Sequence, residues 1–268
     1  MDTYIKFFKT TKFIGVQPIT FSRFVYDSNK DYFMTLKLDG LRKILIINDK
    51  GKSYFFTSKM DIQRGKYNIK ELKNSVFDGE YFKGKYYIFD VLVINGIDVR
   101  KEIFSNRIKI LENIDTKILG NIKIKKHYYS SDRLRLFRYL KKKISKNVDG
   151  IIFTPNSYYF ESPLKWKPTN MLSIDFKIKK LPDNKFYLLT QSGKVFTSKK
   201  FKINGIVKVT TKDYLKYPDL SVVEFVYIKR KFIPIRHRRD KINSNHIRVI
   251  LSNLDAITNP PNMSLLLK

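Results

Sequence analysis

The sequence contains no cysteine, so disulfides, thiolate metal sites and a cysteine nucleophile are excluded. Acidic residues are also scarce: 24 Asp and Glu stand against 54 Lys and Arg, which gives a formal net charge of +30. No apolar run approaches the roughly 20 residues of a membrane-spanning helix, and the residues after Met1 carry charge where a signal peptide would be apolar. The sequence therefore predicts a protein inside the cell, away from membranes, whose partner is a polyanion such as nucleic acid.

The remaining composition is that of a folded protein. Of the 268 residues, 43% are hydrophobic and 15% aromatic, which is enough for a core and for one or two domains. The abundance of Lys, Ile, Asn, Tyr and Phe is also what an A/T-rich genome encodes, and it indicates a viral or cytoplasmic-plasmid source. We therefore expect a cytoplasmic rather than a nuclear protein.

Two kinds of periodicity occur in the first two thirds of the chain. Apolar and polar residues alternate over residues 31–57, and residues 85–94 are rich in β-branched and aromatic side chains, as in the strands of a sheet. Turns are predicted at residues 49–51 and 95–96. Ser105 is predicted to cap one helix and residues 130–132 a second. The lysines at 141–143 of the second helix are interpreted as a solvated face rather than an RNA clamp.

After Pro168 the pattern changes to short strand-like pieces separated by turns. The predicted strands cover residues 173–180, 185–191, 194–201, 206–211 and 221–229. Five short strands at this spacing favour a small β-barrel such as an OB fold. The predicted fold class is α+β. Antiparallel sheets with flanking helices are expected over residues 1–172, an OB-fold barrel over 173–250, and a helical tail or linker over 251–268.

Six unusual segments follow one another along the chain. They are residues 37–42 (Lys-Leu-Asp-Gly-Leu-Arg), 77–81 (Phe-Asp-Gly-Glu-Tyr), 87–92 (Tyr-Ile-Phe-Asp-Val-Leu), 149–153 (Asp-Gly-Ile-Ile-Phe), 164–168 (Leu-Lys-Trp-Lys-Pro) and 236–241 (Arg-His-Arg-Arg-Asp-Lys). Alone, Lys37 fits a surface lysine before a turn, and Asp78-Gly79 fits a hairpin turn. The succession resembles the covalent nucleotidyltransferase superfamily of polynucleotide ligases and mRNA capping guanylyltransferases.

The resemblance implies that Lys37 is the nucleophile that attacks the α-phosphate of a nucleotide. Such an amine must be neutral, so desolvation and nearby cations have to lower its pKa. Arg42, Lys165, Lys167 and a divalent metal are the candidate charges. Asp39 belongs to the same catalytic segment as Lys37 and Arg42. The resemblance identifies the first domain as the GTP-binding nucleotidyltransferase domain.

The other segments supply the nucleotide and metal contacts that the resemblance implies. Glu80 is assigned to the ribose or the metal and Asp149 to the metal, Mg²⁺ or Mn²⁺, because hard cations prefer oxygen ligands. Phe89 is the candidate for stacking on the purine base, with a core phenylalanine as the alternative. Lys165 and Lys167 lie at i and i+2, so both are expected on one strand face to contact a phosphate.

Two further segments narrow the resemblance to guanylyltransferases. Residues 13–20 contain Gln17 and Pro18 in a Gly-x-Gln-Pro-Ile-Thr pattern that is similar to the stretch ahead of the nucleophile in capping enzymes. The last segment is similar to the motif with which their OB domain orients the β- and γ-phosphates of GTP. Its functional residues would be Arg236, Arg238, Asp240 and Lys241.

The function that the resemblance implies is mRNA guanylyltransfer. GTP forms a lysyl-GMP intermediate, and the GMP then passes to the 5'-diphosphate end of RNA. The other capping steps would come from an RNA triphosphatase and a cap methyltransferase, as partners or fused domains, and RNA polymerase is a further candidate partner. Two alternatives stay open: an ATP-dependent polynucleotide ligase, and an inactive OB-containing RNA-binding subunit of a transcription complex.

Overall fold

The computed structural model of the protein describes residues 2–267. The strands in chain order are β1 (Ile19–Thr20), β2 (Tyr32–Leu38), β3 (Leu41–Ile47), β4 (Lys52–Thr57), β5 (Ile62–Asn68), β6 (Ser75–Phe82), β7 (Lys85–Ile94), β8 (Ile97–Asp98), β9 (Ile122–Ile124), β10 (Val148–Pro155), β11 (Leu164–Trp166), β12 (Ile174–Leu181), β13 (Lys185–Leu189), β14 (Ile206–Lys208), β15 (Val222–Ile228) and β16 (Lys231–His237). The helices are α1 (Asp2–Phe8), α2 (Phe104–Glu112), α3 (Arg133–Lys141), α4 (Thr211–Lys216) and α5 (Ile247–Thr258). The sheets are mostly antiparallel, which confirms the α+β class.

The chain divides into two compact units. The first unit runs up to Ile19, continues over Asp27–Trp166 and resumes at Met263. The second unit comprises Thr20–Tyr26 and Lys167–Asn262. Across the described part of the chain, no helix has both the length and the apolar composition needed to cross a membrane.

A seven-stranded sheet forms the larger core of the first unit. Its strands run in the order β5-β4-β3-β6-β7-β8, and β9 pairs in parallel with β7. Both faces are covered: Leu45 and Ile47 of β3 pack in the cluster that includes α2, while Ile44 and Ile46 pack with Tyr4 of α1. Burial on both faces explains why β3 ends in a continuous apolar run instead of alternating.

A four-stranded sheet, in the order β1-β11-β10-β2, completes the first unit. Helix α3 packs on it through Phe137, whose ring lies 6.3 Å from that of Phe153 in β10 and 4.8 Å from that of Trp166 in β11. The predicted cap of this helix is confirmed, because the Asp132 side chain accepts a hydrogen bond from the backbone N–H of Arg135. The turns predicted at residues 49–51 and 95–96 are also confirmed, since they join β3 to β4 and β7 to β8.

Two local predictions for the first unit are wrong. Asp78 and Gly79 lie inside β6, and the hairpin turn between β6 and β7 comes later, at residues 83–84. Ser105 lies within α2, whose N-cap position is Ile103 and has no side-chain cap. The N–H of Ser105 is instead satisfied by Oδ1 of Asn156 at 2.9 Å, so a tertiary contact replaces the local cap.

The second unit is built on a five-stranded antiparallel sheet in the order β14-β13-β12-β15-β16. Its core combines strand residues such as Phe176 and Phe225 with Ile250 and Leu254 of α5. This helix begins at Ile247, so it starts before the tail that was predicted over residues 251–268.

The strand predicted over residues 194–201 is wrong. That segment makes isolated bridges, Leu189 with Val195 and Ser198 with Ile203, and the fifth strand is β16. The turn into β16 consists of Lys229 and Arg230, both at positive φ (46° and 63°). It contains no glycine, asparagine or proline, so no local pattern indicates a hairpin there.

We expect Gly79→Ala to destabilise the first unit. A Cβ at this position would lie 2.5 Å from Cζ of Tyr86 and 2.6 Å from the carbonyl oxygen of Tyr87. Tyr86 is fully buried and donates to the Lys43 carbonyl at 2.7 Å, so its ring cannot swing away. The free energy of unfolding, measured by urea denaturation, should fall by about 1–3 kcal/mol.

The control for this prediction is Gly84→Asn. Gly84 lies in an open turn at φ +78°, with nothing within 4 Å of an added Cβ, and asparagine tolerates this backbone region. Its cost should stay below about 1 kcal/mol. An equal cost for both variants would contradict the packing explanation of Gly79.

Candidate active site

A β-bulge places a carboxylate beside Lys37. In the pairing of β2 with β10, Leu38 lies opposite Val148 and Lys37 lies opposite Gly150, so Asp149 is an extra residue without a partner in the register. A bulge of this kind re-aims a side chain. Here Nζ of Lys37 lies 2.9 Å from Oδ1 and 3.2 Å from Oδ2 of Asp149, with the two side chains 22% and 14% exposed.

Lys37 lines a cavity of about 300 Å³ within the first unit. Several of the residues predicted from the sequence share this lining, and they come from five strands and one loop. They are Gln17, Pro18, Lys37, Arg42, Glu80, Phe89 and Lys165. The structure therefore brings together residues that are up to 148 positions apart in the chain, between Gln17 and Lys165.

Arg42 is held by a buried hydrogen-bonded network. Its guanidinium donates to Asp78 through Nε (3.0 Å) and Nη2 (2.5 Å), and to the carbonyl oxygen of Val16 through Nη1 (2.7 Å). Asp78 is fully buried and also accepts from the hydroxyl of Tyr159 at 2.6 Å. Burial alone would lower the pKa of Arg42, but the charge and hydrogen bonds of Asp78 raise it overall. Arg42 is thus a fixed cation on the cavity wall whose charge Asp78 compensates.

Phe89 lies between two cations. The Arg42 guanidinium is 5.5 Å from the centre of its ring, and Nζ of Lys125 is 5.6 Å from it. Phe89 is half-buried on the cavity wall rather than part of the closed core. The next residue, Asp90, is anchored by Arg107 through bonds of 2.8 and 3.0 Å, which fixes this part of β7.

Lys125 is a buried cation that the sequence analysis missed. It is 9% exposed, lines the cavity and lies 3.7 Å from Oε2 of Glu80. Desolvation lowers its pKa to about 8, and the nearby Lys37 charge acts in the same direction, while Glu80 opposes both. Its position depends on the parallel pairing of β9 with β7, where its N–H donates to Ile88 at 2.7 Å. No local pattern signals this non-local contact.

His127 is a second missed residue of the cavity. Its ring packs edge-on against Phe104 at 5.1 Å. Burial, together with the charge of Lys125, lowers its pKa to about 3, so the imidazole is neutral at physiological pH. A neutral imidazole offers one acceptor and one donor nitrogen.

Lys165 lies in a strand and lines the cavity, whereas Lys167 does neither. Lys165 lies in β11 opposite Ile152 and lines the cavity, while Trp166 points to Phe137 of α3, as the strand alternation predicts. β11 ends at Trp166, so Lys167 follows the strand and the expected shared face does not continue to it. Asp39 also lies outside the cavity lining; it is exposed, and its N–H donates to the carbonyl of Asn147 at 3.3 Å.

Glu80 and Asp149 are the carboxylates that would hold a divalent metal, Mg²⁺ or Mn²⁺. Within residues 2–267 there is no group of three or more His, Asp or Glu side chains that could hold a metal ion. Glu80 already accepts from the N–H of Gly40 at 3.1 Å. Magnesium is commonly bound by one or two carboxylates together with substrate phosphates and water. These two residues therefore suit an ion that arrives with a nucleotide.

The basic residues of the last segment form a separate network in the second unit. Arg238 contacts Asp175 at 3.1 Å and Asp240 at 2.8 Å, and Lys241 also contacts Asp175. Arg236 pairs with Glu224 at 2.7 Å. Asp175 is 4% exposed, so it holds two of these cations from a buried position.

The arrangement of the site suits one kind of chemistry. A lysine amine on a cavity wall, with a carboxylate at 2.9 Å, fixed cations and an aromatic ring, can act as a covalent nucleophile. The sequence profile described as "mRNA capping enzyme, catalytic domain" matches residues 3–169, more than half of the chain. The chain belongs to the mRNA capping enzyme family.

Individual relatives agree with this family. An mRNA-capping enzyme of African swine fever virus (isolate Pig/Kenya/KEN-50/1950) is 32% identical over 168 residues, which cover 57% of this chain and 19% of the viral protein. The mRNA-capping enzyme of Danio rerio is 25% identical over 295 residues, or 96% of this chain and 49% of that protein. The chain thus spans about a fifth and about half of the length of these relatives.

A solved structure, mycobacterial DNA ligase D complexed with ATP and MES, aligns with a TM-score of 0.48 and 13% identity. The alignment covers 86% of this chain and 97% of that chain.

We expect Lys125 to titrate near pH 8. Below that pH its ammonium is charged, and above it the cavity loses one positive charge, because burial favours the neutral amine. Between about pH 8 and the ordinary lysine value of 10.5, the unfolded chain holds a proton that the folded one has lost, so stability should rise with pH in this window. The side-chain carbon resonances of isotope-labelled lysine report the titration directly.

The control for the titration is Lys125→Met, which should remove that one signal and leave the other lysine resonances in place. If the signal that disappears in this variant is one that titrates at the ordinary lysine value, burial does not act on Lys125 as described.

Proposed function

We propose that the protein is a GTP:RNA guanylyltransferase that works through a covalent lysyl-GMP intermediate. Nζ of Lys37 attacks the α-phosphorus of GTP, the nitrogen–phosphorus bond forms, and the bond to the leaving pyrophosphate breaks. The ammonium must lose its proton first, and Asp149 is the carboxylate already bonded to it. A terminal β-phosphate oxygen of 5'-diphosphate RNA then attacks the same phosphorus and forms the new oxygen–phosphorus bond. The nitrogen–phosphorus bond breaks, and Nζ of Lys37 takes up a proton as it leaves as the free amine.

One observation carries the proposal above all others. Lys37 lies on the wall of a cavity that is also lined by cations and an aromatic ring. Its amine contacts Asp149 at 2.9 Å, although the two residues are 112 positions apart. A surface lysine that only precedes a turn is not expected to line a cavity and to contact a carboxylate from a distant part of the chain. Membership of the capping enzyme family supports the same chemistry.

The cavity offers matching contacts for the nucleotide. Phe89 stacks on the base, a contact worth roughly 1–3 kcal/mol at comparable sites. Glu80 accepts from the ribose or binds Mg²⁺ or Mn²⁺ together with Asp149. Lys165 contacts the α-phosphate, with Lys167 assigned to the same role. Gln17, Pro18 and Arg42 complete the nucleotide-binding wall, and Asp39 is kept as a catalytic residue on the strength of the resemblance.

Lys125 favours guanine over adenine. Its ammonium can only donate hydrogen bonds, and it lies beside the ring of Phe89 where the base would stack. Guanine carries an acceptor oxygen at position 6, whereas adenine carries a donor amino group there. The buried cation would therefore bind one base and repel the other.

The second unit takes the role that the resemblance gives it. The nucleotidyltransferase domain is assigned to residues 1–172, the OB-fold domain to 173–250, and a C-terminal helix, tail or linker to 251–268. Arg236, Arg238, Asp240 and Lys241 act on the β- and γ-phosphates. The antiparallel five-stranded sheet over Ile174–His237 is consistent with an OB fold.

The partners and the compartment follow from the same function. Because the chain spans only part of its larger relatives, the RNA triphosphatase and methyltransferase steps are assigned to partner subunits or fused domains. RNA polymerase is the further candidate partner. The similarity to a viral capping enzyme supports work in the cytoplasm.

We expect Lys37→Ala and Lys37→Arg to abolish covalent labelling by α-labelled GTP. Alanine removes the amine, and arginine keeps a cation opposite Asp149 but lacks a nucleophile that can become neutral. The arginine variant therefore controls for a loss of labelling that is caused by unfolding. Label retained on the denatured protein is the measurement, and Lys50→Ala, at an exposed turn position, is the matched control that should label normally.

Each other outcome has a defined meaning. Labelling that persists in both Lys37 variants would defeat the assignment of the nucleophile. Label from ATP but not from GTP would indicate a polynucleotide ligase, and no label from either nucleotide would indicate an inactive binding subunit.

A further inference from the structure

An extended segment next to the cavity has two chemically different sides. Residues of this segment alternate: Lys125 and His127 line the cavity, whereas Lys126 and Tyr128 do not. The segment is fixed to β2, because the carbonyl of Lys126 accepts from Oγ1 of Thr35 at 2.8 Å and Tyr128 exchanges two backbone bonds with Met34. One side of the segment therefore belongs to the nucleotide site, and the other is available for a different role.

The outer side joins helix α3 in a surface of alternating rings and cations. We define the aromatic–basic surface by Lys126, Tyr128, Tyr139 and Lys143. Nζ of Lys126 lies 5.1 Å from the Tyr128 ring centre, the two tyrosine rings are 6.3 Å apart, and Nζ of Lys143 lies 4.3 Å from the Tyr139 ring centre. The four side chains thus form one continuous cluster.

This cluster is open to solvent and strongly basic. The Tyr139 ring is 49% exposed, and Lys126 and Lys143 are exposed. A hydrogen bond from Lys143 lowers the pKa of the Tyr139 hydroxyl. Helix α3 and its C-cap residue also carry four exposed cations, Arg135, Arg138, Lys141 and Lys142. A merely solvated helix face requires charge but not half-exposed rings.

We propose that the aromatic–basic surface binds the single-stranded 5' segment of the RNA that accepts GMP. This inference rests on the proposed function. Exposed aromatic rings among cations suit single-stranded nucleic acid, because the rings stack on bases and the cations bind phosphates without requiring a particular sequence. Such platforms commonly engage about 4–16 nucleotides.

The location agrees with a path toward the nucleophile. Met34, which holds Tyr128, and Lys37 belong to the same strand β2 and are three residues apart, or about 10 Å along the strand. An RNA whose 5' end enters the cavity can therefore reach the surface only with its next few nucleotides. The proposal predicts that the surface matters for long acceptors and not for very short ones.

The experiment compares GMP transfer from preformed lysyl-GMP protein to two acceptors, a 5'-diphosphate dinucleotide and a 5'-diphosphate transcript long enough to cover the surface. Tyr139→Ala should raise the KM for the long transcript about ten-fold, because one stacking contact is lost. The KM for the dinucleotide and the rate of adduct formation from GTP should remain unchanged. Tyr139→Phe keeps the ring and should behave like the unmodified protein.

A charge-reversed pair tests the phosphate contacts. In Lys126→Glu/Lys143→Glu, the slope of log KM against log salt for the long transcript should fall by about 1.4, because each lost phosphate contact on a single strand removes about 0.7. The matched control is Lys50→Glu/Lys59→Glu, which changes the net charge equally at two exposed turn positions and should leave the slope nearly unchanged.

The outcomes separate this inference from the proposed function. Normal adduct formation combined with equal KM values for long RNA in all variants would overturn the inference and leave the function standing. An equal loss with both acceptors would also overturn it, because the surface would then act through the cavity. If the surface binds an acidic peptide instead of RNA, the substitutions will leave the RNA kinetics unchanged. That result would also contradict the proposal.

Discussion

The contact between Lys37 and Asp149 is the constraint on which the site depends. It exists because β10 carries one extra residue opposite β2, and the bulge turns the Asp149 carboxylate to within 2.9 Å of the amine. If the register of Gly150 opposite Lys37 continued without the extra residue, Asp149 would lie opposite Leu38, and its side chain would point to the other face of the sheet from Lys37. The same contact holds the Lys37 side chain in one position on the cavity wall, which reduces the ordering that nucleotide binding must bring about.

The rest of the cavity is fixed by buried ion pairs rather than by loops. Asp78 holds Arg42 and Tyr159, and Asp90 holds Arg107 directly behind Phe89. Each buried carboxylate is hydrogen-bonded by its cation, so the polar groups are satisfied although Asp78 is 0% and Asp90 5% exposed. A preorganised wall of this kind positions charge before the substrate arrives, which is the form of assistance that phosphoryl transfer uses most.

Much of this arrangement could be predicted from the sequence, and the failures have a common cause. The order of short segments identified Lys37, Arg42, Glu80, Phe89 and Lys165, all of which line one cavity. Lys125 and His127 were missed because their places on the cavity wall follow from contacts between distant segments, the pairing of β9 with β7 for Lys125 and the bonds of Tyr128 with Met34 for His127. The strand β16 was missed because its turn uses Lys229 and Arg230 at positive φ without glycine. Local sequence patterns were therefore enough to predict the motifs and the strand-rich fold class. The strand register and the positive-φ turn depend on tertiary packing, which such patterns do not show.

The most direct test of the account is to locate the covalent bond. After incubation with GTP and a divalent metal, the protein would be digested and the modified peptide sequenced by mass spectrometry under alkaline conditions, which preserve a phosphoramidate. The account predicts GMP on the side chain of Lys37 and on no other lysine. Guanylate attached to a different residue, such as Lys125 or Lys165 in the same cavity, would contradict it.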